Sequence, residues 1–136
     1  MPVRFQILSP KALKPYLQKE LWEYRQHLDN ANYKAAWQHL ERAHVLGQAF
    51  AWPHTYVHFK MLQFGIHIKN TKEVIGQIPR LLVGGVKSFV GEIPLGNTGG
   101  ANVPPLKPLP IEPEIEAIFK KCDIQLGIQN YTTLDK

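Results

Sequence analysis

From Pro10 to Leu82 the chain carries apolar residues at helical spacing, and the spacing is broken only three times, each time for a few residues. Breaks that short force consecutive helices to run antiparallel and to pack side by side. The breaks are Asp29-Asn30-Ala31-Asn32, Ala49 to Pro53, and Lys69-Asn70-Thr71. Ser9-Pro10 reads as a cap with proline in the first turn, so the first helix is expected over Pro10 to Leu28 on Leu13, Tyr16, Leu17, Leu21, Tyr24 and Leu28. The second spans Tyr33 to Phe50, with Ala36, Leu40, Ala43, Gly47 and Phe50 on one face and Trp37, Glu41, His44 and Gln48 on the next. The third starts at Trp52-Pro53 and runs to Ile68; its apolar face is read as Thr55, Phe59, Leu62 and Ile66, beside a stripe of His54, His58, Met61 and Gly65. A fourth runs from Thr71 through Leu82, interrupted by Pro79.

Past Gly84-Gly85 the periodicity ends. Glycines and prolines punctuate residues 84–112, which are expected to form a long wrapping loop. Pro113-Glu114 opens a short last helix to Lys121, and 122–136 reads as a tail. The expected fold is all-α: four to five helices in antiparallel hairpins, similar to tetratricopeptide repeats in their paired helices though not in signature residues, in one domain over 1–136.

Composition narrows the function classes. At 136 residues, 44% hydrophobic and 20% charged, the chain is large enough for one packed core and is not of disordered composition. The net charge of +5 is spread along the chain without a basic and aromatic stripe, so nucleic acid is not an expected partner. No apolar run reaches the roughly 20 residues of a spanning helix. Ile78 to Leu95 is at most a peripheral membrane contact. The lone Cys122 and the absence of a secretory leader at Met1 to Gln6 place the expectation in the cytoplasm. Neither Cys122 nor Ser9 nor Ser88 stands in a nucleophilic constellation, and Gly96 to Val103 lacks the spacing of a nucleotide-binding loop.

The second break has chemistry on both sides. If it is a hairpin, counting outward sets His44 opposite His58, Gln48 opposite His54 and Glu41 opposite Met61. Residues three or four apart share a helix face, so Glu41 with His44 and His54 with His58 form two pairs that can converge. Three imidazoles and a carboxylate suffice to bind zinc, copper or iron. Glu41, His44, His54 and His58 are the expected ligands; His39, Gln48, Met61, Asn97 and Asn102 are lesser candidates or partners of the ligands, while His27 and His67 are read as surface residues. A second metal would need Glu73, Glu92 or another subunit. The same histidines also fit an ordinary hydrogen-bonded core, in a module that binds a protein partner or a second copy. A third reading is a metal-dependent enzyme with Glu41 as base.

The string Leu40-Glu41-Arg42-Ala43-His44-Val45-Leu46-Gly47-Gln48, the pair His54 and His58, and Gly96-Asn97-Thr98-Gly99-Gly100-Ala101-Asn102-Val103 followed by Lys107-Pro108-Leu109-Pro110-Ile111 together resemble a family of small bacterial proteins known as a domain of unknown function. The resemblance covers Trp37 to Ile118. It implies a bacterial cytoplasmic protein in which Glu41, His44, Gln48, His54, His58, Asn97 and Asn102 belong to the family pattern, and it implies no activity.

Overall fold

A computed structural model describes residues 9–83, 96–104, 107 and 109–124. Among them are five helices and no strand: α1 (Lys14–Asp29), α2 (Tyr33–Gly47), α3 (Ala51–His67), α4 (Thr71–Val83) and α5 (Pro113–Lys121). The fold is all-α, with a short C-terminal helix as expected. Consecutive helices α1 to α4 pack as neighbours, and α5 lies against α2.

The first helix starts later than the Ser9-Pro10 cap suggests. Lys11 to Leu13 form a turn, with the Leu13 amide donating to the Pro10 carbonyl at 3.0 Å, and the helix begins at Lys14. The cause is Pro15, which has no N–H and is tolerated only in a first turn; a helix begun at Pro10 would place it in the interior. The second helix ends at Gly47 rather than Phe50, because Phe50 is extended, with φ −121° and ψ 118°. Pro53 then falls in the first turn of α3, where it displaces no hydrogen bond.

Three helices close the same way. After α1, the Asn32 amide reaches the His27 carbonyl and the Ala31 amide that of Leu28; the pattern recurs with Asn70 and Lys69 after α3, and with Ile124 and Asp123 after α5. Ala31, Lys69 and Asp123 take the left-handed conformation that this closure requires, at φ of 56°, 57° and 55°. Asn70 then caps the next helix, its side-chain oxygen accepting the Glu73 amide at 3.1 Å.

Two apolar clusters hold the bundle. One joins Leu13, just before α1, and Leu17 of α1 to Val45, Leu46 and Phe50 and to Ile115 and Phe119 of α5. The other joins Tyr24, Ala36, Leu40 and Ala43 to Val57, Met61 and Phe64 of α3. Phe119 is fully buried and ties α5 down, a contribution of about 1.5–3 kcal/mol.

The inner face of α3 is not the one its apolar pattern predicts. Phe59 and Ile66 are 45% and 60% exposed, while His54, His58, Met61 and Gly65 point inward. The imidazoles are buried because the Asn97 carbonyl and the Gln77 side chain bond them there. No helix among the described residues is long and apolar enough to cross a membrane. Of the segment 78–95, residues 84–95 lie outside the described residues, as do 125–136 of the tail.

Asn70→Ala removes the α4 cap. It is expected to lower stability by about 1 kcal/mol in urea denaturation with an unchanged m-value.

Candidate metal centre

The tight α2–α3 turn sets the site. At Gly47 a Cβ would lie 2.9 Å from the Pro53 Cβ, so the absent side chain is what lets the two helices fold back this closely. Across the turn the Nε2 atoms of His44 and His58 stand 3.0 Å apart, and that of His54 is 2.9 Å from His44 and 3.0 Å from His58. The three ring centroids form a near-equilateral triangle of 4.6–4.7 Å. None of the three residues is more than 2% exposed.

The outer nitrogens fix what the inner ones present. His44 Nδ1 lies 2.7 Å from the Asn97 backbone carbonyl, an acceptor only, so Nδ1 carries the proton. His58 Nδ1 lies 2.7 Å from Gln77 Oε1. The Gln77 amide cannot be turned around, since its nitrogen donates to the Glu73 carboxylate at 2.6 Å and to the Gly99 carbonyl at 2.8 Å. Nδ1 of His58 therefore donates as well. In the neutral rings both Nε2 atoms then turn lone pairs toward each other at 3.0 Å, an arrangement that needs a positive partner between them: a proton, an N–H from His54 Nε2 at 2.9 and 3.0 Å, or a metal ion.

A polar stripe on α4 holds the cover in place. Glu73 accepts the Ala101 amide at 3.1 Å, and Arg80 donates to the carbonyls of Gly100 and Val103 at 3.1 and 2.8 Å. Burial lowers the Arg80 pKa, against the opposing charge of Glu73. Asn97 staples the loop to itself, donating to the carbonyls of Pro104 and Lys107 at 2.8 and 2.7 Å while its Oδ1 accepts the Gly99 amide. Gly99, at φ +86°, lies flat on the His44 ring: a Cβ there would come within 2.5 Å of Cδ2. The glycine-rich loop thus covers the histidines. Gln77 escaped the reading of the sequence, although Glu73, Gln77 and Arg80 share one face of a helix with few other polar residues.

The other expected residues fall around this core. Glu41 is not among the converging donors, which are His44, His54 and His58. It bonds Thr98 and lines a cavity of about 470 Å³ with Arg42, Val45, Gly96 and Ile111. Its pKa is raised, first by burial and further by the charges of Glu112 and Glu73, against the Thr98 hydrogen bond. Gln48 Oε1 accepts the Gly96 amide at 3.1 Å and Met61 belongs to the core, its sulfur 3.6 Å from the Gln77 nitrogen. Asn102 is exposed. His39 turns away to the buried Glu20 carboxylate at 2.7 Å, which Arg42 also contacts at 3.0 Å.

A second set of donors, Glu23, His27 and His39, is partly exposed. Its two rings stack nearly parallel, at 11° and 5.3 Å between centroids, so no single ion lies in both ring planes. Its members already have partners: His39 pairs with Glu20, which Arg42 also contacts, and His27 lies 3.9 Å from Glu23. His67 packs edge-on against Tyr33, on the surface.

The chain belongs to the family described as protein of unknown function (DUF3703), which matches residues 11–119. No curated protein and no solved structure matches it.

Gly99→Ala adds a side chain where the backbone is left-handed and the His44 ring is in the way. A loss of about 1–3 kcal/mol is expected in chemical denaturation, with histidine ring resonances displaced in NMR spectra. For Glu41 the sign is that of a carboxyl with a raised folded-state pKa: its ionised form costs stability above that pKa, and the cost fades as pH falls toward the unfolded value near 4.5. Glu41→Gln is accordingly expected to raise the thermal midpoint at neutral pH, with the gain shrinking on acidification to pH 4.5.

Proposed function

We propose that this member of the DUF3703 family is a metal-binding protein whose ligands are His44, His54 and His58. The observation that carries the reading is the meeting of three buried imidazole nitrogens, two of them held in the lone-pair form by Asn97 and Gln77. An all-nitrogen set suits zinc, copper or iron and disfavours magnesium and calcium, which take oxygen ligands. Tetrahedral zinc bound at about 2.0–2.1 Å sets nitrogen separations of about 3.3 Å, so the rings need spread by only a few tenths of an ångström. Hydrogen bonds from the far nitrogens to a carbonyl and an amide oxygen are the usual support of liganding histidines.

The site is closed. Burial of the ligands to 1–2% exposure and the seat of Gly99 on His44 favour holding an ion, for sensing, storage or delivery, over turnover of a bulky substrate. Glu41 stands on the cavity side of Thr98, outside the ligand set and suited to attract cations toward it.

Protein purified without a polyhistidine tag is expected to bind one zinc ion per chain in calorimetry and in metal analysis. The double variant His44→Ala, His58→Ala should lose that binding. Gln77→Ala keeps every ligand and should weaken affinity by about 10–100-fold. A flat titration of the unaltered protein with zinc, copper and iron would sink the proposal.

A further inference from the structure

The α3–α4 hairpin keeps its chemistry inside and its apolar side chains outside. Trp52, Phe59 and Ile66 of α3 are 65%, 45% and 60% exposed, and Ile75 and Ile78 of α4 are 63% and 45% exposed. The first three recur every seven residues, two helical turns, and so form one row about 21 Å long. Opposite that row on α3 lies the stripe His54, His58, Met61 and Gly65; opposite the isoleucines on α4 lie Glu73, Gln77 and Arg80. Both inner stripes face one buried layer made of α2 and the glycine-rich loop, since His54 and His58 meet His44, and Gln77, Glu73 and Arg80 bond Gly99, Ala101 and Gly100 of the loop that covers it. The two outer rows therefore lie on the same outer side of the hairpin.

Charge on this hairpin has one sign. Between residues 51 and 83 the sole acidic residue is Glu73, which is 8% exposed and spent on Gln77 and Ala101. Lys69 and Lys72 are exposed at the α3–α4 turn, and Lys60 is partly so. The other acidic residues of the described chain sit on α1, α2 and α5 or at the ends of α5.

We infer that the outer face of α3–α4 docks on an anionic lipid bilayer. Five large apolar side chains flanked only by lysines match the headgroup boundary of such a membrane, with shallow burial of the rows and attraction of the lysines to lipid phosphate. A second copy of the chain fits less well, because apposing two such faces brings lysines together with no carboxylate to receive them. The contact is peripheral and independent of the metal reading, as it uses none of the histidines.

Co-sedimentation of the full chain with vesicles of phosphatidylcholine, with and without phosphatidylglycerol, tests it. Binding is expected to the anionic vesicles and to fall as salt rises. Trp52→Ala with Phe59→Ala should weaken it about tenfold or more, and Lys69→Glu with Lys72→Glu should weaken it severalfold. Both pairs are surface changes; helical circular dichroism of the same preparations checks that the fold is intact, and their zinc content reports separately on the metal site. Absence of binding to anionic vesicles overturns the inference, as does equal binding by the Trp52→Ala, Phe59→Ala variant. Self-association in sedimentation that this variant abolishes, without vesicle binding, assigns the face to a second copy and overturns it too.

Discussion

Three imidazole nitrogens within 3.0 Å of one another, out of reach of water, are the constraint around which the rest of this molecule is arranged. Burying polar rings is unfavourable unless their nitrogens are satisfied. The protein answers with a cover whose own groups are satisfied in turn: the Asn97 carbonyl for His44, the Gln77 oxygen for His58, and then Glu73, Arg80 and the Asn97 side chain for the backbone that carries them. Removing any one link leaves a buried donor or acceptor unmet, at about 1–3 kcal/mol each. The network is therefore strong as a whole and sensitive at each point.

The apolar clusters lie to either side of this polar layer and give it a rigid frame. One grips the start of α1, the end of α2 and α5; the other grips α1, α2 and α3. Since α2 belongs to both, His44 is carried on the best-anchored helix, while His54 and His58 come from α3, fastened through Val57, Met61 and Phe64. The rings thus stand on packed helices, and only their lid is loop.

Much of this was legible in the residues and some of it was not, for identifiable reasons. Helical periodicity and short breaks locate α1 to α4, Pro113-Glu114 locates α5, and counting outward from the α2–α3 break pairs His44 with His58. The start of α1 was misjudged because Pro10 and Pro15 each suit a first turn, and only Pro15 forbids continuing backward. The inner face of α3 was misjudged because Phe59 and Ile66 are more apolar than His54 and His58; hydrophobicity ranks stripes without knowing that Gln77 and Asn97 await the imidazoles. Gln77 itself could not be found from α3, since its contact with His58 depends on how α4 packs. Glu41 shares a face with His44 in sequence, yet three residues of α-helix leave it about 60° around the axis from His44, and its carboxylate bonds Thr98 of the loop.

Chain order gives the lid a further meaning. His44, His54 and His58 come from a compact hairpin spanning 15 residues, whereas the carbonyl that orients His44 is supplied 53 residues later, by Asn97. Contacts between near neighbours close sooner than those across long stretches of chain, because less conformational freedom is surrendered. Sequence separation therefore favours the meeting of the three rings before the glycine-rich loop reaches them. On the metal reading proposed above, an ion taken up before the loop closes would be enclosed by the remainder of folding, so the order of the sequence bears on how such an ion could enter.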